Sequence, residues 1–348
     1  MHVIPRWPAP NDGRHPAADH RPATYVVTGC AGFIGSHVAD VLLERGDRVL
    51  GIDAFTESYA RETKQANVAG LLWRPGFNLL DADLVDVALD ALLEGVDGVF
   101  HLAAQSEGRA ECGRTFVLSA RDVLATRRLF AAVAHHGVRV VFASSSSVYG
   151  NPEQYPTAED TPPRPVSSCG VTKVCCEQLA ETYATVAGLD YVAMRYFTVY
   201  GPRQRPDMAI ARIAAALADG GRFDVYGSGE ETRDVTDVDD VVLATLAVMD
   251  AGATRAVYNV GGGCEVSVHE VIEQCRHLSD RELDVRYTRA ATGDVRRTAA
   301  DTSRILADVG WQPQTRLEEG LTAHLSWAAS PGRAGLSRLR PVPAGQGR

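Results

Sequence analysis

The stretch Val26-Val27-Thr28-Gly29-Cys30-Ala31-Gly32-Phe33-Ile34-Gly35-Ser36-His37 constrains this chain more than any other. Two β-branched residues read as the end of a buried strand. Three glycines follow at three-residue intervals, and residues 37–44 carry the spacing of an amphipathic helix. The pattern predicts a strand, a tight turn and a helix that starts near Ser36. Glycine lets the backbone turn sharply and approach a ligand. The unpaired N–H groups and the dipole of the helix then face an anion such as a pyrophosphate. A second strand over 48–52 leads to Asp53, eighteen residues beyond Gly35. A carboxylate at that place receives the ribose hydroxyls of NAD. Ala54 and Phe55 follow, with no adjoining arginine to suit a 2′-phosphate, so NAD is expected over NADP.

The rest of the chain limits the partners. With 348 residues it can bury a sizeable core, and its 45% hydrophobic and 23% charged fractions are ordinary globular values. A net charge of −9 argues against nucleic acid. No run approaches the roughly 18 apolar residues of a membrane span. Residues 1–22 lack an apolar core, so a disordered leader is expected there and not a secretory signal. Residues 331–348, rich in proline, glycine and arginine, read as a flexible tail. The seven cysteines are odd in number and include no CxxC pair. They suit reduced thiols in the cytoplasm, with no metal site. One of the vicinal pair Cys175-Cys176 is expected to pack inward.

Strand-like and helix-like runs alternate from residue 24 onward. Strands are predicted at 25–28, 48–53, 77–80, 96–102, 138–143, 223–226 and 256–260. Helices are predicted at 116–136, from 168 through 181 or beyond, at 207–218, 239–249, 266–278 and 317–328. This alternation predicts an α/β fold: a Rossmann-type doubly wound parallel sheet with a smaller α/β substrate domain. Residues 24–200 plus 234–262 are expected to form the first unit, and 201–233 plus 263–328 the second.

Further motifs sharpen the reading. Residues 144–150 read Ser-Ser-Ser-Ser-Val-Tyr-Gly at a strand end, and Gly170-Val171-Thr172-Lys173 opens a helix. Together with the glycine turn, Asp53, Asp83-Leu84, the HLAAQ run at 101–105, RYFTVYGPRQRPDM at 195–208 and RDVTDVDDVV at 233–242, they resemble one family. It is the extended short-chain dehydrogenase/reductases that act as nucleotide-sugar epimerases and dehydratases, and the resemblance spans about residues 24–328. It implies NAD contacts from Gly29, Gly32, Phe33, Ile34, Gly35, Asp53, Phe55, Asp83, Leu84, Leu102, Ala103, Ala104, Gln105, Lys173 and Tyr196. His101, at the same strand end, reads as structural.

In such enzymes a serine or threonine hydroxyl holds the reacting sugar oxygen. A tyrosine four residues before a lysine moves its proton while a hydride moves to or from the nicotinamide. By resemblance Ser145 takes the hydroxyl position and Lys173 the lysine position. The tyrosine position is occupied by Cys169, which departs from the family. A thiol titrates near ~8.5 and a phenol near ~10, so acidity is no obstacle. Reach is the obstacle, because the sulfur sits at Cβ and the phenol oxygen lies beyond a whole ring. Three readings stay open: a water relays the proton to Cys169, another side chain such as Tyr149, Ser147 or Glu107 replaces the phenol, or the site binds without turnover.

On the substrate side, Thr198 and Arg205 resemble the threonine and arginine with which UDP-glucuronate 4-epimerases hold the sugar carboxylate. Ser146, Ser147 and Tyr226 are further candidate substrate contacts. Arg233 resembles the family's diphosphate arginine and Asp294 a nucleotide-ribose contact. Family dehydratases carry Asp-Glu where this chain has Ser146-Ser147, which disfavours simple 4,6-dehydration. The resemblance therefore implies a NAD-dependent 4-epimerase working through a transient 4-keto-sugar, on a UDP-sugar such as UDP-glucuronate. The alternatives are a dehydratase or decarboxylase using the same intermediate, or a non-catalytic sugar-nucleotide binder. Helices near 116–136 and 168–187 match the pair that forms a four-helix homodimer interface in relatives.

Overall fold

The structure is a computed structural model and describes residues 22–105, 112–289 and 295–330. Its first half contains β1 (Thr24–Thr28), α1 (Phe33–Glu44), β2 (Arg48–Asp53), α2 (Arg61–Val68), β3 (Phe77–Asp81), α3 (Leu89–Leu92), β4 (Gly98–His101), α4 (Cys112–His136) and β5 (Arg139–Ser145). There follow α5 (Ser168–Ala187), β6 (Tyr191–Tyr196), β7 (Thr198–Tyr200), α6 (Ala209–Asp219), β8 (Arg222–Tyr226), β9 (Thr232–Asp237) and α7 (Val238–Ala251). The last are β10 (Ala256–Val260), β11 (Cys264–Ser267), α8 (Val268–Ser279), β12 (Asp284–Thr288), α9 (Ser303–Val309) and α10 (Leu317–Ala328).

A seven-stranded sheet runs in the order β10-β6-β5-β4-β1-β2-β3, and its pairings are parallel. Successive residues of a strand face opposite sides, so both faces must be covered. Val27, Phe100, Val141 and Val192 pack in one core with Val38 and Leu42 of α1 and Val241 of α7. Their neighbours Val26, Val99, Val140 and Tyr191 pack in a second core with Phe130 of α4 and Ala180 of α5. Each such side chain, fully buried, is worth roughly 1.5–3 kcal/mol. The strand order reverses between β1 and β4, which opens a crevice at their C-terminal ends.

β7 leaves the main sheet and pairs parallel with β9, which pairs antiparallel with β11. β8 and β12 form a two-stranded sheet. A third core lies against these strands, with Ile213 and Leu217 of α6, Ile272 of α8 and Leu321 of α10. The three-stranded sheet takes strands from both sides of the divisions expected at 200/201 and 233/234.

Two local readings change. The segment after β2, read as a polar connection, contains α2, in which Thr63, Lys64, Asn67 and Val68 are buried. Asn67 reaches Ala31 O at 3.1 Å and ties α2 to the glycine turn. The helix expected from Val266 starts two residues later, because Val266 and Ser267 close β11. Ser267 caps α8: its Oγ accepts Glu270 N at 3.1 Å, and the Glu270 carboxylate accepts Ser267 N at 2.7 Å. Among the described residues no helix is long and apolar enough to cross a membrane.

Candidate active site

A cleft of about 370 Å³ lies along the C-terminal edge of the large sheet. Its first wall is the turn between β1 and α1. Gly29 has φ +71°, and a Cβ there would stand 2.8 Å from Ala103 N. A Cβ on Gly35 would stand 2.2 Å from Gly29 O. Only glycine permits this approach of turn, helix and β4 end. Gly32 occupies the N-cap of α1 without a side-chain cap, so the first N–H groups of the helix keep no side-chain acceptor. Helix α1 therefore starts at Phe33 and not near Ser36.

Asp53 closes β2 beside this turn and is 8% exposed. One carboxylate oxygen accepts Ala31 N at 3.1 Å and the other accepts Phe55 N at 2.8 Å. Phe55 itself has φ +45° and buries its ring in the core, so its backbone and not its side chain serves Asp53. Asp83 accepts Val85 N at 2.9 Å and Arg121 Nε at 2.8 Å. Gly32, Phe33, Ile34, Leu84, Leu102, Ala103, Ala104 and Gln105 line the same cleft.

His101 is buried below it, with Nδ1 2.8 Å from Thr28 Oγ1 and Nε2 2.9 Å from Thr126 Oγ1. Burial, with a smaller push from Lys173, lowers its pKa to about 3. It is a neutral strut between β1, β4 and α4, as expected.

The second wall is the junction of β5 with α5. Ser145 ends β5, lines the cleft, and accepts Ser147 N at 3.1 Å, capping the short 3-10 turn Ser146–Val148. Ser167 caps α5 by accepting Gly170 N at 3.2 Å. A Cβ on Gly170 would stand 2.4 Å from Ser147 O, so glycine lets the helix start press against that turn. Cys169 consequently faces the cleft on the same side as Ser145 and is exposed. Lys173, one turn on, donates to Ala143 O at 2.7 Å and ties α5 to β5.

A buried network holds this junction. Arg195 pairs bidentately with Glu177 at 2.9 and 2.7 Å, and Glu177 also accepts Ser144 Oγ at 2.5 Å. Arg195 donates to Tyr149 Oη at 2.8 Å, and Tyr149 donates to Asn259 Oδ1 at 2.6 Å. Tyr149 is 2% exposed, and burial pushes its pKa up to about 12. Its hydroxyl is committed on both sides, so Tyr149 does not stand in for a missing phenol. Ser147 Oγ is buried and has no hydrogen-bond partner among the described residues, and Glu107 lies outside them. Of the three readings of Cys169, replacement by a nearby side chain loses Tyr149.

Tyr196 lines the cleft with its hydroxyl 2.8 Å from Thr245 Oγ1. Arg205 also lines it, with Nη2 3.3 Å from Asp207. Thr198 is half-buried on β7, and Ser146 sits in the 3-10 turn. Tyr226 is exposed at the end of β8, with Arg212 5.5 Å from its ring centre, and Arg233 donates to Thr232 O at 2.9 Å. Phe55, Ser146, Ser147, Lys173, Thr198, Tyr226 and Arg233 are not among the residues that line this cleft. Asp294 lies outside the described residues. The sequence reading missed Thr56, Ser58, Tyr59, Lys64, Arg121, Asp122 and Met208, which also line the cleft. Six of them, scattered over α2, α4 and loops, carry no local motif, and Met208 closes the 195–208 motif without having been read as a contact. Cys176 is buried and Cys175 exposed, as expected of the vicinal pair. Away from the cleft, Asp90, His135 and His136 bring ligand atoms within 4.8 Å of one another at the surface.

Residues 25–261 match the model of the NAD dependent epimerase/dehydratase family. The chain belongs to this family. It is 36% identical over 311 residues to a Bacillus subtilis protein described as an uncharacterized UDP-glucose epimerase, covering 88% of this chain and 98% of the relative. It is 33% identical over 310 residues to the UDP-glucuronate 4-epimerase of Thermodesulfobacterium geofontis, covering 87% and 95%. The crystal structure of UDP-glucuronic acid 4-epimerase from Bacillus cereus, in complex with UDP-glucuronic acid and NAD, superposes with a TM-score of 0.84. It is 32% identical, with 87% of this chain and 98% of that one covered. NAD is the cofactor of the family, and the cleft fits it. Glycine backbone approaches the helix N-terminus where a pyrophosphate sits, and Asp53 stands at the ribose end of β2.

Proposed function

We propose that this member of the epimerase/dehydratase family is a NAD-dependent 4-epimerase of a UDP-sugar, with UDP-glucuronate as the first candidate. The observation that carries this reading is one cleft shared by the glycine turn, Asp53, Ser145, Cys169 and Arg205. When bound, NAD supplies the means to take a hydride from a sugar carbon and return it. Ser145 lines the cleft, and its Oγ would hold the C4 oxygen. Lys173 does not itself line the cleft; it fixes the start of α5 on β5 through Ala143 O, and Ala143 does line it. Cys169 takes the place of the family tyrosine and leaves the volume of a phenol ring, and a water there would pass the C4 hydroxyl proton to the Cys169 thiolate. Once the 4-keto-sugar has rotated to present its other face, the same groups return the proton to the C4 oxygen, and C4 is inverted because the hydride comes back to the opposite face. Arg205 suits the sugar carboxylate, because its planar fork pairs with two oxygens at once.

Incubation of the purified protein with NAD and UDP-glucuronate or UDP-glucose, followed by NMR, tests the proposal. The expected product is the C4 epimer. Release of CO2 or loss of water would assign a decarboxylase or dehydratase. Binding of the sugar nucleotide without any product would favour the non-catalytic reading that Cys169 motivates.

The third core beneath the small sheets supports a NAD-binding unit of 24–200 plus 234–262 and a nucleotide-sugar unit of 201–233 plus 263–328. Free thiols at six described cysteines suit the cytoplasm. Helices α4 and α5 leave Leu124, Val171 and Val186 exposed, and a second copy packing there as a four-helix bundle would cover them. Sedimentation of the purified chain as a dimer tests this.

A further inference from the structure

The segment after Asp53 places a cation where the sequence showed none. Lys64 Nζ stands 3.9 Å from Asp53 Oδ1 and donates to Thr56 Oγ1 at 3.2 Å. It also lies 5.1 Å from the centre of the Tyr59 ring. The Lys64 side chain is only 7% exposed, yet it lines the cleft together with Asp53, Thr56 and Tyr59. The other charges around it are matched in pairs. Arg61 pairs with Asp81, and Arg205 lies 3.3 Å from Asp207. Asp53 is the anion that Lys64 faces.

We propose that Lys64 is a cofactor-specificity residue: a cation able to take the 2′-phosphate of NADP, whose charge the Asp53 carboxylate cancels. Selectivity for NAD then resides in one carboxylate, and the site beneath it already holds an acceptor for the phosphate. A phosphate at the ribose 2′ position brings about two negative charges toward Asp53 and is repelled. Without that carboxylate, the ammonium keeps two of its three donors beyond the one given to Thr56. A buried location weakens screening by salt, so the attraction is larger than at a surface. Lysine binds phosphate as a point charge and needs no bidentate geometry. This inference rests on the family's use of NAD and not on the sugar substrate or the reaction.

The test measures dissociation constants of NADH and NADPH for the full chain by nicotinamide fluorescence, without turnover. In Asp53→Asn the ratio of the NADPH to the NADH constant is expected to fall by about 100-fold. Adding Lys64→Met should restore about tenfold of that ratio, whereas adding Lys64→Arg should not. In the otherwise unchanged protein, Lys64→Met should raise the ratio about threefold. Equal ratios in Asp53→Asn with and without Lys64→Met would overturn the proposal. If a thermal melt shows that Asp53→Asn does not fold, the single Lys64→Met variant decides, and an unchanged ratio overturns the proposal.

Discussion

At the β1–α1 turn the ligand-facing groups are main-chain amides and the bare surfaces of glycines. At the β5–α5 junction they are side chains, held in place by other side chains. Gly29, Gly32 and Gly35 act through what they lack, and each position has one steric reason. Ser145, Cys169 and Lys173 depend on Ser167, Gly170, Glu177 and Arg195 for their placement. A wall made of backbone tolerates no change of residue type. A wall made of side chains keeps its shape when one chemical group is exchanged, because the scaffold around that group stays whole.

The largest expected effect breaks the backbone wall. Gly35→Ala would press a Cβ against Gly29 O, which costs on the order of 3 kcal/mol or more. NADH titration should show binding at least ~100-fold weaker. Binding within a few-fold of normal would show that the turn yields, and the contrast between the walls would fail.

The next effect strikes the support of the other wall. Arg195→Met leaves Glu177 buried without its partner, at a cost of about 3–5 kcal/mol. Chemical denaturation measures it. A loss under about 1 kcal/mol would mean that α5 is held by apolar packing alone.

A smaller change bears on the chemistry itself. Cys169→Tyr restores the reach of a phenol and should raise epimerase turnover by at least about tenfold. Because Cys169 is exposed in the cleft, the protein should keep its melting temperature. An equal or lower rate would show that the thiol is part of a different relay and not a handicap.

A pH-dependent effect lies in the second half of the molecule. Asp237 caps α7 by accepting Asp239 N at 2.9 Å, and burial raises its pKa to about 7. An unfolded carboxylate titrates near ~4, so between pH ~4 and ~7 the folded chain holds a proton that the unfolded chain has lost. Stability from this group is therefore present at low pH, falls as pH rises to about 7, and is level above that. Asn at this place keeps a capping oxygen. Asp237→Asn should add up to about 4 kcal/mol at pH 8 and almost nothing at pH 4, read from melts at the two pH values. Equal shifts at both would point to capping and not to the buried charge.

The sequence was legible wherever a residue type has one physical reason to be present. The glycine turn, Asp53, the alternation of strands and helices and the span Ala256–Val260 could be read directly. The strands β6, β7, β9, β11 and β12 were not read as such: β7 and β11 have only three and four residues, and charged residues interrupt the apolar run in β9 and β12. The boundary of α8 moved because Ser267 competes for a capping role that hydropathy does not register.

By itself the sequence determined the family, the doubly wound sheet and the nucleotide turn, because glycine spacing and β-branched runs act locally. Only the tertiary structure decided which side chains meet. It committed Tyr149 to Arg195 and Asn259, and so removed a candidate base that lies four residues from Ser145. It brought Lys64 from an unremarkable polar segment to within 3.9 Å of Asp53. Contacts of this kind join residues far apart in the chain, and their energies depend on burial and distance, which exist only once the chain has folded.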